Sequence, residues 1–189
     1  NNCTIMEFKN TLKIYHKLGA NVITEARSNL KKEKKETREN TLYNDMTYYI
    51  RRNEKEILLE WTFGEAENYW QFVNQGVKGS GGFKGSGKMR GQGSPFSFKK
   101  NNIKRGVVLG WIRNKPLKLR DKKTGQFKEK NKANLKTSAF LIGRAIAQRG
   151  LTRTLFFDKA YNKEVAKAQD KISEAFADDL LAKLETLLK

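Results

Sequence analysis

The chain holds one cysteine, one histidine and two prolines in 189 residues. A single thiol cannot close an internal disulfide, build a multi-cysteine zinc site or form a CxxC redox pair. A single imidazole must serve any catalytic set that needs one. So few prolines leave room for long helices. No apolar run approaches the roughly 20 residues that cross a bilayer, and the first residues lack the layout of a signal peptide. Together these features predict synthesis in a reducing, intracellular compartment. Acidic residues are also scarce, 20 Asp and Glu against 39 Lys and Arg, for a formal net charge of +19. Hydrophobic residues make up 38% of the chain and aromatics 11%, enough for a modest core, which excludes a wholly disordered polypeptide. The length fits a single domain over residues 1–189.

The missing negative charge is missing from one place. Residues 1–75 carry 12 basic and 11 acidic side chains, and residues 155–189 carry 6 and 7. Residues 76–154 carry 21 basic side chains against 2 acidic ones, Asp121 and Glu129. A segment so charged repels itself. It calls for a polyanion, an acidic protein surface or solvent exposure, and nucleic acid is the common partner, because neutralised phosphates release counterions.

Apolar periodicity orders the rest. Ile5, Phe8, Leu12, Tyr15, Val22, Ala26 and Leu30 recur at helical steps, with Leu18 and Gly19 between, and predict a long first helix. Gly19 costs about 1 kcal/mol of helix propensity against Ala, so it marks a close approach by another element. Lys31 to Glu36 reads as a solvated helix end. Met46, Tyr48 and Ile50, then Ile57, Leu59, Trp61 and Phe63, alternate around a turn at Asn53-Glu54-Lys55, which predicts an antiparallel hairpin with one face under the first helix. A short helix is expected near Glu65–Val73, ending at Gly76. Residues 76–93 contain eight glycines and four cations and no acid, which reads as a long exposed loop that orders against a partner. Ser94 to Phe98 resumes as a short extended piece. Ile103, Val107 and Trp111 suggest a helix of about ten residues stopped before Pro116. A basic loop, 117–134, has Thr124-Gly125-Gln126 at its tip. Leu135, Ala139, Ile142 and Ile146 give another helix, ended by Gly150. From about Thr154 a final helix runs over 154–189, ~50 Å long, and its far end is expected on another subunit. The fold class is α+β: a long N-terminal helix packed on a small antiparallel β-sheet, with further helices and a long C-terminal helix.

Little chemistry is legible. Gly82 to Lys88 matches the first seven positions of a phosphate-binding P-loop, but Met89 stands where Ser or Thr should hold magnesium, and neither a buried strand nor a helix flanks it. His16 has no nucleophile near it in sequence and reads as a surface or partly buried histidine. The pairs Glu65/Glu67 and Asp178/Asp179 read as solvent-facing rather than as a metal or glycosidase site. No catalytic, cofactor-binding or metal-ligating set is expected, and the protein is not expected to be an enzyme. Phe83, Phe96, Phe98, Trp111 and Phe127 amid the basic segment could stack single-stranded bases. Phe96, Phe98 and Trp111 read more simply as core residues that re-anchor the chain after the loop.

Three patches carry a resemblance. Tyr69 to Gly79, with its aromatic pair, Val73, Asn74 and Gly76, resembles a segment of small tailed-bacteriophage neck and tail-completion proteins. Ser94-Pro95-Phe96-Ser97-Phe98-Lys99 resembles the Pro-Phe-x-Phe-Lys piece that follows a variable loop there. Ile146 to Leu151 and Leu155 to Ala160 resemble the family's Arg-Gly, Phe-Phe ending before a long terminal helix. The resemblance covers roughly residues 60–165. It implies a virion structural protein of the head–tail connector, neck or tail-terminator ring, working as a homo-oligomer of six or twelve copies, made in the bacterial host cytoplasm and located in the virion. Portal, adaptor and tail proteins are the implied partners, with possible contact to packaged DNA and none to membrane. The candidate contacts to subunits or partners are Lys78, Lys84, Lys88, Arg90, Lys99, Lys100, Arg105, Lys118, Arg120, Lys122 and Lys123. The basic segment is expected to face acidic partner proteins, the DNA in the channel, or both, with acidic partners slightly ahead, since a channel lined with clustered cations would impede DNA passage. A free basic nucleic-acid-binding protein is the alternative.

Overall fold

The computed structural model describes residues 8–33, 41–53, 56–84, 87–100, 102–114, 120, 124–127 and 132–188. The sequence reads as one domain, but the chain divides into two compact units, Asn1–Asn74 with Thr154–Lys189, and Gln75–Arg153. The division follows the charge. The first unit holds 18 basic and 18 acidic residues, whereas the second holds 21 and 2, so all of the +19 belongs to one unit.

The first unit is built on two antiparallel helices, α1 (Lys9–Lys32) and α6 (Phe156–Leu187). Their direction is fixed at both ends. The Asp179 carboxylate accepts from the Asn10 and Thr11 backbone N–H groups at 3.0 and 2.9 Å and from Thr11 Oγ1 at 2.8 Å, while Asn29 Nδ2 donates to the Phe156 carbonyl at 3.0 Å. The Asn10 and Thr11 N–H groups have no partner inside their own helix, so α6 supplies the cap that Phe8 cannot. Leu18, Val22, Ile23, Ala26 and Leu30 form the buried stripe of α1, and Ala160 and Ala168 let α6 approach it. Ile5 lies outside the described residues.

The expected hairpin is present. β1 (Thr47–Arg52) pairs with β2 (Ile57–Thr62), with Tyr48 opposite Trp61 and Ile50 opposite Leu59. Tyr48, Leu59 and Trp61 pack against the core, and Trp61 Nε1 donates to the Gly19 carbonyl at 3.4 Å. A short helix missed by the periodicity, α2 (Thr41–Asn44), precedes the hairpin. Arg27 holds its end: Nε donates to the Tyr43 carbonyl at 2.9 Å and Nη2 to those of Asn44 and Met46 at 3.1 Å. After β2, the single helix expected at Glu65–Val73 is instead two pieces, a 3₁₀ turn (Gly64–Asn68) and α3 (Trp70–Gln75). Phe63 stacks on Trp70 at 4.2 Å and meets Phe157 edge-on at 5.3 Å, so this aromatic knot closes the core.

The second unit contains β3 (Val77–Lys78), α4 (Arg105–Asn114), α5 (Lys132–Arg149) and β4 (Gly150–Leu151). Its apolar cluster joins Val108 and Ile112 of α4 to Ala139 of α5. On α4 the buried position is Val108 rather than the expected Val107, which is 66% exposed, while Ile103 packs on the cluster as expected. The Trp111 ring lies outside the described residues. Gly143 permits the helix crossing: a Cβ there would stand 2.9 Å from Asn102 Oδ1 and 3.3 Å from Val108 Cγ2.

Candidate functional site

The glycine-rich segment 76–93 is built from the backbone outward. Val77 and Lys78 pair antiparallel with Leu151 and Gly150, and Lys78 also bridges Ser97 in parallel. The Lys78 N–H donates to the Phe96 carbonyl at 2.8 Å and the Phe98 N–H to the Lys78 carbonyl at 3.0 Å. Further along, the N–H groups of Ser80, Gly81 and Arg90 donate to the carbonyls of Ala147, Gln148 and Arg149 at 3.0, 3.2 and 2.7 Å. Ser94 Oγ closes the stem by donating to the Gly76 carbonyl at 2.8 Å. Over residues 76–81 and 88–93, therefore, the expectation that this loop orders against a partner gives way to a path hydrogen-bonded within its own unit. The glycines are what make it possible. Gly150 sits at φ +91°, and a Cβ there would lie 2.5 Å from the Val77 carbonyl oxygen and 2.7 Å from that of Arg90. Three backbone segments cross where no side chain fits.

Arg149 is the residue around which the loop turns, and the candidate set did not include it. Its Nε donates to the Lys88 carbonyl at 2.9 Å, and its guanidinium lies over the Phe83 ring at 5.6 Å. Arg153 reaches the Gln92 carbonyl with Nη1 at 3.5 Å. The only sequence trace of this was an arginine directly before the glycine that ends a helix. The long-range pairing, 61 residues apart in both cases, leaves no local pattern.

Of the predicted contacts, the structure brings Lys78, Lys88 and Arg90 to this junction, with Lys84 beside Phe83 on the exposed span. Lys99 and Lys100 follow, both exposed. Arg105 starts α4 and lies over the Phe140 ring of α5 at 5.8 Å. Arg120 bridges Phe127 and stacks on its ring at 4.3 Å, with Gly125 at φ +69° turning the chain between them. Lys118, Lys122 and Lys123 lie outside the described residues. The unit's two carboxylates, Asp121 and Glu129, do as well, so no described residue of this unit carries negative charge. Arg105, Arg120, Arg149 and Arg153 are held by neutral carbonyls or aromatic rings, which fix a guanidinium without cancelling it.

The P-loop match does not survive in three dimensions. A two-residue strand precedes it and, among the described residues, no helix begins between it and Arg105, so no row of helix-terminal amides faces a phosphate there. His16 is exposed, with Nδ1 3.3 Å from the Tyr48 hydroxyl. Glu67 is structural: its carboxylate accepts from the Phe63 N–H at 3.2 Å and from Trp70 Nε1 at 3.1 Å. Asp179, expected to face solvent, is instead buried at the α1 cap. Among the described residues no group of three or more His, Cys, Asp or Glu could hold a metal ion, and no helix is long and apolar enough to cross a membrane. Among known protein families, curated proteins and solved structures, none matches this chain.

Proposed function

We propose that this chain is a structural protein of a tailed-phage virion, a subunit of the head–tail connector, neck or tail-terminator ring. The observation that carries the reading is the meeting of the three resembling patches. Val77 and Lys78 of the first pair with Gly150 and Leu151 of the third, and Lys78 bridges Ser97 of the second. Patches scattered over 90 residues of sequence thus work as one hydrogen-bonded junction, as parts of a single inherited device should. The far end of α6 supports the reading too. Leu181, Leu184 and Leu188 are 59, 54 and 87% exposed, beside Leu180, whereas Phe176 further back stacks on Phe8 at 5.5 Å. A contiguous apolar end on a helix is a contact waiting for a partner, and in a ring that partner is the next copy, each weak contact being repeated around the symmetry.

Two measurements test this. Mass spectrometry of purified virions should find the chain as a stoichiometric component, and light scattering or electron microscopy of the purified protein, alone or with its virion neighbours, should find closed rings. Leu181→Lys with Leu184→Lys should abolish ring formation without lowering the melting temperature. Absence from virions, or a protein that stays monomeric with all virion components present, would overturn the reading and favour a free nucleic-acid-binding protein.

A further inference from the structure

We infer that the Gln75–Arg153 unit binds the phosphodiester backbone of nucleic acid, irrespective of base sequence, through Lys78, Lys84, Lys88, Arg90, Arg149 and Arg153. Five of these residues meet at one junction, three of them through their backbone, and Lys84 follows Phe83, whose ring lies under Arg149. Lys78 pairs with Gly150, Lys88 receives the Arg149 Nε through its carbonyl, the Arg90 N–H donates to the Arg149 carbonyl, and Arg153 reaches Gln92. Among the glycines between them, Gly79 and Gly91 pack on the unit's own backbone, whereas Gly81 has nothing within 4 Å of a hypothetical Cβ and leaves its backbone open. No carboxylate among the described residues of the unit competes for these cations.

The connector resemblance ranks acidic proteins slightly ahead of DNA, and two structural observations reverse that order. First, the cations are not a single patch. They occupy the 76–100 segment, the start of α4 at Arg105, the Arg120–Phe127 bridge and α5 at Lys136 and Arg144. A folded acidic protein offers one bounded patch, with basic residues among its acids. A nucleic acid offers unbroken charge, one per about 1.7 Å of duplex axis, against one per ~3.3 Å or more along even a fully acidic extended peptide. The denser polyanion holds more condensed counterions and releases more when neutralised. Second, two further arginines of the unit, Arg120 and Arg105, sit on rings that are themselves exposed. Phe127 is 57% exposed beneath Arg120, and Phe140 is exposed beneath Arg105. A guanidinium on an exposed ring offers a phosphate its edge and a base its face. A carboxylate partner has no use for the ring. The objection that clustered cations would impede moving DNA weakens as well, since the contacts are individually screened and exchange rapidly with salt.

The inference does not need the virion reading, and the two fail separately, because this one is tested on the isolated full-length chain. Fluorescence anisotropy would follow its binding to a labelled duplex, a labelled single strand and polyglutamate of matching total charge. Six neutralised phosphates correspond to a loss of roughly a thousandfold in duplex affinity between ~50 and ~200 mM salt. The triple variant Lys78→Gln, Lys84→Gln, Lys88→Gln should shrink that loss to about fortyfold. The control triple Lys13→Gln, Lys17→Gln, Lys171→Gln, in the neutral unit, should leave it unchanged, and melting curves confirm that both variants fold. Tighter binding to the single strand would put bases on the rings, and equal binding would put the backbone alone in contact; either supports the inference. Polyglutamate bound as tightly as nucleic acid, a salt dependence unmoved by the first triple, or one moved equally by the control would each overturn it.

Discussion

The side-chain amide of Asn74 donates to the Asp158 carboxylate at 2.7 Å, across 84 residues of sequence. The amide oxygen of Asn74 accepts from the Phe157 N–H at 3.1 Å, and its backbone carbonyl accepts from Thr154 and Leu155 at 3.1 and 2.8 Å. Helix α6 is preceded by a left-handed residue, Leu155, that offers no side-chain cap. Asn74 supplies the cap from elsewhere in the chain, and Asp158 adds negative charge to the helix N-terminus. The same residue fastens the two points where the chain leaves the first unit and comes back to it.

Asn74 is fully buried, so Asn74→Ala strands the Phe157 N–H and the Asp158 carboxylate together. The expected cost is about 2–3 kcal/mol, read as a lowered urea midpoint. A change within about 0.5 kcal/mol would show that the cap is redundant.

Gly19 gives way to a ring. A Cβ at this position would lie 2.5 Å from Tyr48 Cδ2. Gly19→Ala is therefore expected to destabilise by about 1–3 kcal/mol through overpacking. In a Tyr48→Ala background the same change should stabilise by up to ~1 kcal/mol, the helix propensity regained. The reversal of sign in this double-mutant cycle is the test.

Two glycines with positive φ separate conformational strain from collision. Gly125, at φ +69°, has nothing within 4 Å of a hypothetical Cβ, whereas Gly150 is ringed by backbone. Gly125→Ala should cost about 1 kcal/mol and Gly150→Ala at least ~3 kcal/mol, with the segment around Lys88 becoming sensitive to trypsin only in the second case. Equal costs would mean that the crossing at Gly150 is not tight.

Burial pushes the Asp179 carboxyl up, but hydrogen bonds from the Thr11 and Asn10 backbone and from Thr11 Oγ1 outweigh it and hold the pKa below the ordinary 3.8. A carboxylate bound more tightly in the folded state contributes its full stability above that ordinary value and loses it as pH falls through the depressed one. The wild type should therefore lose stability on acidification below about pH 4 more steeply than Asp179→Asn. The variant should be the less stable at neutral pH, by about 1–3 kcal/mol. Parallel pH profiles would remove Asp179 from this role.

Much of this protein is written locally. The α1 stripe, the alternation that makes the hairpin, the length of α6 and the glycine that admits a ring are all consequences of spacing, because helix and strand periodicity sort apolar residues onto one face without reference to anything distant. The confinement of +19 to one stretch is equally plain in composition. Other features depended on residues far apart in sequence. That Asp179 caps α1 rather than facing water, that Asn74 caps α6, that Arg149 and not only the loop lysines organises the junction, and that the glycine-rich segment is pinned to β4 each require two points 60 to 170 residues apart to meet. A short-range pattern carries no record of such a meeting. Only the packed chain, which must give every buried polar group a partner, decides where they come together.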